Sequence, residues 1–181
     1  MKRVLIVMFA STLLLAACGG SDSEGSGSSA EFNDADVAFA QGMIPHHEQA
    51  VEMADLALEN ADSDEVTSLA EEIKAAQDPE IETMQGWLDD WGQSDSGAPD
   101  TRGMMGMMSD QEMAELEVAS GAEFDEMFLK MMVEHHTGAI SMAETEQADG
   151  ENGDAKALAG QIIEAQKAEI AEMEALLDGG V

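Results

Sequence analysis

The chain repeats itself. Asp36, Phe39, Met43, His46, His47, Ala50, Met53 and Ala54 recur 89 places later as Asp125, Phe128, Met132, His135, His136, Ala139, Met142 and Ala143. The same offset carries Leu69, Ala70, Ile73, Ala76, Gln77, Glu80, Ile81, Met84 and Leu88 onto Leu158, Ala159, Ile162, Ala165, Gln166, Glu169, Ile170, Met173 and Leu177. No gap is needed, so each copy must solve the same packing problem twice.

Each copy divides into two helical stretches. The breaks fall at Asn60-Ala61-Asp62-Ser63 and at Asp149-Gly150-Glu151-Asn152-Gly153. A short break between long helices makes an antiparallel hairpin, and two hairpins predict four helices, at about 33–60, 63–91, 121–148 and 154–178. The expected fold is all-α, a ferritin-like four-helix bundle built from two duplicated hairpins (repeats about 33–91 and 121–178), the simplest way to bury four apolar stripes.

The stripes are legible. Phe39, Met43, His46, Ala50 and Met53 form one seam, flanked by Ala40, Ile44, His47, Val51, Ala54 and Leu58, while Glu48, Glu52, Asp55 and Glu59 take the opposite face. Phe128, Met132, His135, Ala139 and Met142 repeat the pattern beside Leu129, Val133, His136, Ile140 and Ala143. Both histidines of each pair therefore face inward, about 100° apart around the helix axis. Pro45 lies inside the first helix and removes a hydrogen bond; Glu134 is its counterpart, so the fold does not require it. The Met-rich connector, 92–120, should carry a short helix from a Ser109–Glu112 capping box to about Ala119, and Ser120 with Glu123 should cap the next helix.

All four histidines of the chain lie in these two pairs. Imidazole accepts Cu(I), Cu(II) and Zn(II), and thioether is a soft ligand that suits Cu(I). His46, His47, His135 and His136 with Met43, Met53, Met132 and Met142 are the candidate metal ligands, Met43–His46 and Met132–His135 being one helical turn apart. Di-iron bundles place Glu-x-x-His at this spacing. A thioether in place of the hard carboxylate moves the preference from iron toward copper. Glu80 and Glu169 are the carboxylates left to face inward. Gln77 and Gln166 interrupt apolar stripes and need partners, either the ring N–H of a ligating His or an unrelated core group. Methionine at helical spacing is also ordinary core filler, the reading for Met84, Met113, Met127, Met131 and Met173. Met104, Met105, Met107 and Met108 have no amphipathic reason to cluster in the connector. They suggest an auxiliary Cu(I) site, a contact surface or an oxidant trap.

The N-terminus reads as an export segment. Lys2 and Arg3 precede the apolar run 4–17, which ends in Leu15-Ala16-Ala17-Cys18. This resembles a bacterial lipobox, so 1–17 is a signal peptide and Cys18 the lipidated first residue of a membrane-anchored, extracytoplasmic protein. Residues 18–30 form a Gly/Ser/acid tether and 31–181 the bundle. Cys18 is the only cysteine, so disulfides and thiolate metal sites are excluded. Beyond the signal, five basic residues face 39 acidic ones, a surface that repels nucleic acid and attracts cations. No nucleophile motif, phosphate loop or basic patch points to a hydrolase or a nucleic-acid binder.

Met43-Ile44-Pro45-His46-His47-Glu48-Gln49-Ala50-Val51-Glu52-Met53 and Met132-Val133-Glu134-His135-His136-Thr137-Gly138-Ala139-Ile140-Ser141-Met142 resemble the Met-x-x-His-His-x-x-Ala-x-x-Met motifs of a CopM-like bacterial family catalogued among the domains of unknown function. The resemblance covers Asn33 to Leu177 and implies a ferritin-like helical bundle that binds copper at the four histidines and their Met neighbours. Three functions remain in view: a copper buffer or carrier without enzymatic activity, a ferritin-like metal oxidase, and a metal-free interaction lipoprotein. No protein partner is legible.

Overall fold

A computed structural model describes residues 31–94 and 104–180. The signal peptide, Cys18 and the tether lie outside the described residues. Five helices follow in order: α1 (Asp34–Asn60), α2 (Asp64–Asp90), α3 (Asp110–Val118), α4 (Ala122–Asp149) and α5 (Gly153–Gly179). The four long ones fall where the repeat places them, and α3 is the short connector helix with the Ser109–Glu112 capping box. Asn33 and Asp36 form a second box at the start of α1. The expected Ser120 cap does not form. Gly121 is the N-cap of α4, at φ 65° and ψ −150°, without any side-chain bond. Its N–H instead reaches the carbonyl oxygen of Asn60 at 3.1 Å, which ties the connector to the end of α1. Helix α1 runs unbroken through Pro45. Among the described residues, no helix is long and apolar enough to cross a membrane.

Helix α1 packs along α2 and α4 along α5; the hairpins meet mainly through α1 and α4, while α2 and α5 barely touch. Two apolar clusters result. One joins Ala50, Met53, Ala54 and Ala57 of α1 to Phe124, Phe128, Leu129 and Met132 of α4. The other joins Phe39, Ala40, Met43 and Ile44 to Ala139 and Ala143. The C-terminal half of α1 thus meets the N-terminal half of α4 and the reverse, so the two helices cross antiparallel. Phe128, Leu129, Met132, Ala50 and Ala54 of one cluster have their repeat counterparts Phe39, Ala40, Met43, Ala139 and Ala143 in the other, as an approximate two-fold axis through the crossing demands, whereas Phe124 and Ala57 correspond to Ala35 and Glu146. Leu58, expected on the buried flank, is 41% exposed because the stripe has rotated out of the interface by the last turn of α1.

The hairpins also hold each other's turns. Asp125 accepts hydrogen bonds from the N–H groups of Asp62 and Ser63 at 3.1 and 3.0 Å. Its counterpart Asp36 accepts from Glu151 and Asn152 at 3.2 and 2.8 Å. Backbone donors in a turn need acceptors once buried, and a carboxylate accepts two.

Candidate metal centre

His46 and His47 lie midway along α1, and His135 and His136 midway along α4, between the two apolar clusters. All four have no solvent exposure. The rings of His46 and His135 meet across the pseudo-two-fold with centroids 3.8 Å apart, and His135 and His136 are 6.4 Å apart. Burial, followed by the neighbouring imidazoles, depresses His46 and His135. His46 falls to about 3, and His135 lies well below the ordinary histidine value. Both rings are therefore neutral at physiological pH, the form that binds metal.

The hydrogen bonds fix tautomers. His47 Nε2 lies 2.7 Å from Glu80 Oε2, and His136 Nε2 lies 2.6 Å from Glu169 Oε2. His46 Nε2 faces the carbonyl oxygen of Met105 at 3.3 Å. Carboxylate and carbonyl oxygens accept, so each Nε2 carries the proton and donates, leaving Nδ1 with its lone pair. Nδ1 of His46, His47 and His136 and both nitrogens of His135 are buried without a hydrogen-bond partner among the described residues. Glu80 and Glu169 do face inward, and they fill the orienting role expected of Gln77 and Gln166. Both amide atoms of Gln77 and the Gln166 oxygen have no partner. Glu80 and Glu169 sit one helical turn beyond these amides, which brings a carboxylate to each ring edge.

Met43 and Met132 are fully buried on opposite sides of the histidine layer, and Met53 is fully buried in the cluster that contains Met132. Met142 does not mirror Met53. It is half-buried and meets Met104 over Gly42, away from its expected grouping with the histidines. Among the described residues, no three His, Cys, Asp or Glu side chains are grouped to hold an ion. The imidazoles alone do not complete a coordination sphere, so a thioether or a ring rotation must finish it.

The Met-rich connector is divided. Met108 is core, 7% exposed, whereas Met105 is 63% exposed and Met104 and Met107 lie between. The backbone of 104–108 straps the histidine layer. Gln49 Nε2 donates to the Met108 carbonyl at 2.9 Å, and its Oε1 accepts from the Met108 N–H at 2.7 Å. At the counterpart of Gln49 stands Gly138, where a Cβ would meet the Met105 carbonyl oxygen at 2.0 Å and the Gly106 Cα at 2.9 Å. Only glycine admits the strap so close to α4. Gly106 itself has φ 83°. Sequence reasoning missed the strap anchors, because one amide and one glycine are weak signals.

Fold and site together define an all-α bundle of two equivalent hairpins that buries two His–His pairs on its internal two-fold. The chain belongs to the DUF305 family (domain of unknown function), which matches residues 36–177. A DUF305 protein from Streptomyces coelicolor, described as a candidate secreted protein, shares 37% identity over 80% of this chain and 91% of its own, with a TM-score of 0.76. A DUF305 fragment from Deinococcus radiodurans shares 34% over 81% and 97%, TM-score 0.74. CopM in its Cu(I)-bound form shares 30% over 80% and 96%, TM-score 0.68, and CopM is also known in Cu(II)-bound, silver-bound and apo forms. No curated protein matches the chain.

Proposed function

We propose that this protein binds copper outside the cytoplasmic membrane, to buffer it or hand it on, without catalysing a reaction. The observation that carries the reading is the set of ring nitrogens, on four buried imidazoles, that have no partner among the described residues. An unsatisfied buried polar atom costs about 1–3 kcal/mol, and a core that only needed packing would not gather five of them. An ion taking the lone pairs among them, one per ring, would repay most of that cost. Met43, Met53 and Met132 are the thioethers that the same interior offers, and Glu80 and Glu169 would hold His47 and His136 with Nδ1 toward the ion. The copper- and silver-bound forms of CopM support this choice of metal. A carboxylate-based oxidase is less well supported, since Glu80 and Glu169 are each bonded to a histidine ring.

The export segment and the Cys18 lipobox support anchoring to the outer face of the membrane by lipid. The acidic surface would raise the local concentration of cations.

The test is competition of the purified protein against Cu(I), Cu(II) and Zn(II) chelators, beside variants with all four histidines as Ala and with His46→Gln plus His135→Gln. We expect tight copper binding that both variants lose. Equal, weak binding in all three proteins would leave only the acidic surface and would refute the reading.

A further inference from the structure

The internal two-fold is broken at one end, where it leaves a cleft. Ala35, Ala38 and Gly42 of α1 occupy the positions that Phe124, Met127 and Met131 hold in α4. At the α4 end, Phe124 is fully buried, with Met127 and Met131 packed beside it. At the α1 end the three small residues leave a cavity of about 230 Å³ that reaches the surface beside exposed Ala38 and Thr145. Met104 and Met142 line it. Their methyl carbons lie 3.2 and 3.1 Å from the point where a Gly42 Cβ would stand, so the two methionine side chains end over this glycine. The third departure from symmetry is Glu146, where the other repeat has Ala57. Glu146 lines the same cleft, is 1% exposed, and holds its proton against the Asp36 carboxylate beside it.

Packing does not dictate this set, since the equivalent positions of α4 carry Phe124, Met127 and Met131. Nor does the repeat explain it, since Met104 comes from the connector, and Met53, the counterpart of Met142, is fully buried. We propose that Met104 and Met142 form a second, outer site for a soft monovalent cation, Cu(I) or Ag(I), with the Glu146 carboxyl at its floor. Two neutral thioethers select a soft ion. The adjoining Asp36 carboxylate supplies negative charge, while Glu146 holds a proton. The site communicates with the histidine layer through one peptide. Met104 precedes Met105, whose carbonyl oxygen accepts the His46 Nε2 proton. An ion in the cleft therefore lies at the solvent end of the strap that closes the buried site. The inference rests on the copper reading above, and extends it with a site that only one end of the bundle has.

The experiment is Ag(I) titration of the purified protein labelled with ¹³C at the methionine methyls, followed by NMR, with bound silver counted after dialysis. The Met104 and Met142 methyls should shift together while those of Met127 and Met131, at the filled end, stay. Met104→Leu with Met142→Leu should then retain one silver ion fewer per chain, and the conservative change keeps the fold intact. Unmoved Met104 and Met142 methyls, movement of only one of them, or an unchanged ion count in the double variant would overturn the outer site. If silver is still held and is lost on replacing the histidines, the copper reading survives that failure. If no silver is retained by any variant, both fall.

Discussion

A single methyl group on Gly138 should lift the strap off the histidine layer. In Gly138→Ala the new Cβ stands 2.0 Å from the Met105 carbonyl oxygen and 2.6 Å from its carbon. Neither helix α4 nor the strap has flexible atoms at that contact, so the backbone must retreat by roughly 1 Å or more. The His46–Met105 bond, already 3.3 Å, then breaks, and the His46 Nε2 proton loses the acceptor it has among the described residues. Overpacking costs about 1–3 kcal/mol and an unsatisfied buried donor about as much again. Alanine returns about 1 kcal/mol in helix propensity. The net loss is about 3 kcal/mol, which for a chain of this size lowers Tm by about 6–12 °C. Gly86→Ala is the control. Gly86 is also interior to a helix, but it is exposed and a Cβ there meets nothing within 4 Å. Only the propensity gain remains, so Tm should rise by about 2–4 °C. The assay is thermal unfolding of the metal-free proteins, followed by far-UV circular dichroism. If Gly138→Ala matched or exceeded the wild-type Tm, the strap would not rest on α4 and its role over the histidines would be refuted.

Three further perturbations follow from the buried charges. Burial, and then the Asp36 carboxylate, push Glu146 up to about 8. Burial also pushes Asp36 up, but hydrogen bonds from Asn33, Asn152, Glu146 and Glu151 more than offset this and hold it below the ordinary range. Glu146 therefore keeps the proton. With its folded pKa raised, its contribution is complete below the ordinary carboxyl value and lost as pH rises through about 8. Wild-type stability should fall by about 1 kcal/mol between pH 7 and 9, discounted for solvent in the cleft, and Glu146→Gln should be flat over that range by denaturant titration. His46 has the opposite sign. Depressed to about 3, its contribution is present above the ordinary histidine value and lost as pH falls from there toward 3. The metal-free protein should therefore lose stability from pH 7 to 4, and His46→Gln should lose less; equal slopes would contradict the neutral buried ring. Asp125→Ala strands the Asp62 and Ser63 N–H groups and should cost about 2 kcal/mol, read as a lower urea midpoint; an unchanged midpoint would mean water replaces the carboxylate.

Most of this architecture was written in the offset of the two copies. Helix limits, the inward histidines and the exposed Glu48, Glu52, Asp55 and Glu59 all follow from period and repeat, because burial of an amphipathic stripe is a local property of sequence. What the sequence did not disclose depends on contacts between segments far apart along the chain. Asp36 and Asp125 were visible as a repeated pair, yet their targets lie in the opposite hairpin. Glu80 and Gln77 are one turn apart on the same helix, and periodicity does not decide which of them reaches His47. Met142 shares a motif position with Met53, but its surroundings differ because a connector residue, Met104, and three small residues of α1 lie across from it. Leu58 shows the converse, where a stripe outlasts the interface that needs it.

Duplication also explains why the candidate site is built from pairs. A residue near the axis of a two-fold meets its own counterpart, so a single His–His sequence on one helix becomes four imidazoles at the α1–α4 crossing. The ring contact between His46 and His135 is of this kind. Two cationic rings at 3.8 Å in a dry interior would repel strongly, and the bundle avoids this by holding them neutral. Neutral imidazoles on an axis still carry lone pairs that apolar neighbours do not satisfy. The arrangement is therefore costly as core packing and useful as a cation site. The departures from symmetry lie farther out, where Gly138 replaces Gln49 under the strap and Glu146 replaces Ala57 in the cleft. A symmetric centre with an asymmetric approach is what a binding protein requires if an ion is held equally by both halves but arrives from one side. Filling the cleft with the residues of the closed end, by Ala35→Phe and Ala38→Met, should slow Ag(I) uptake at the histidines while leaving the equilibrium affinity there unchanged. Uptake as fast as in the wild type, measured by stopped-flow competition, would show that ions reach the histidines by another path.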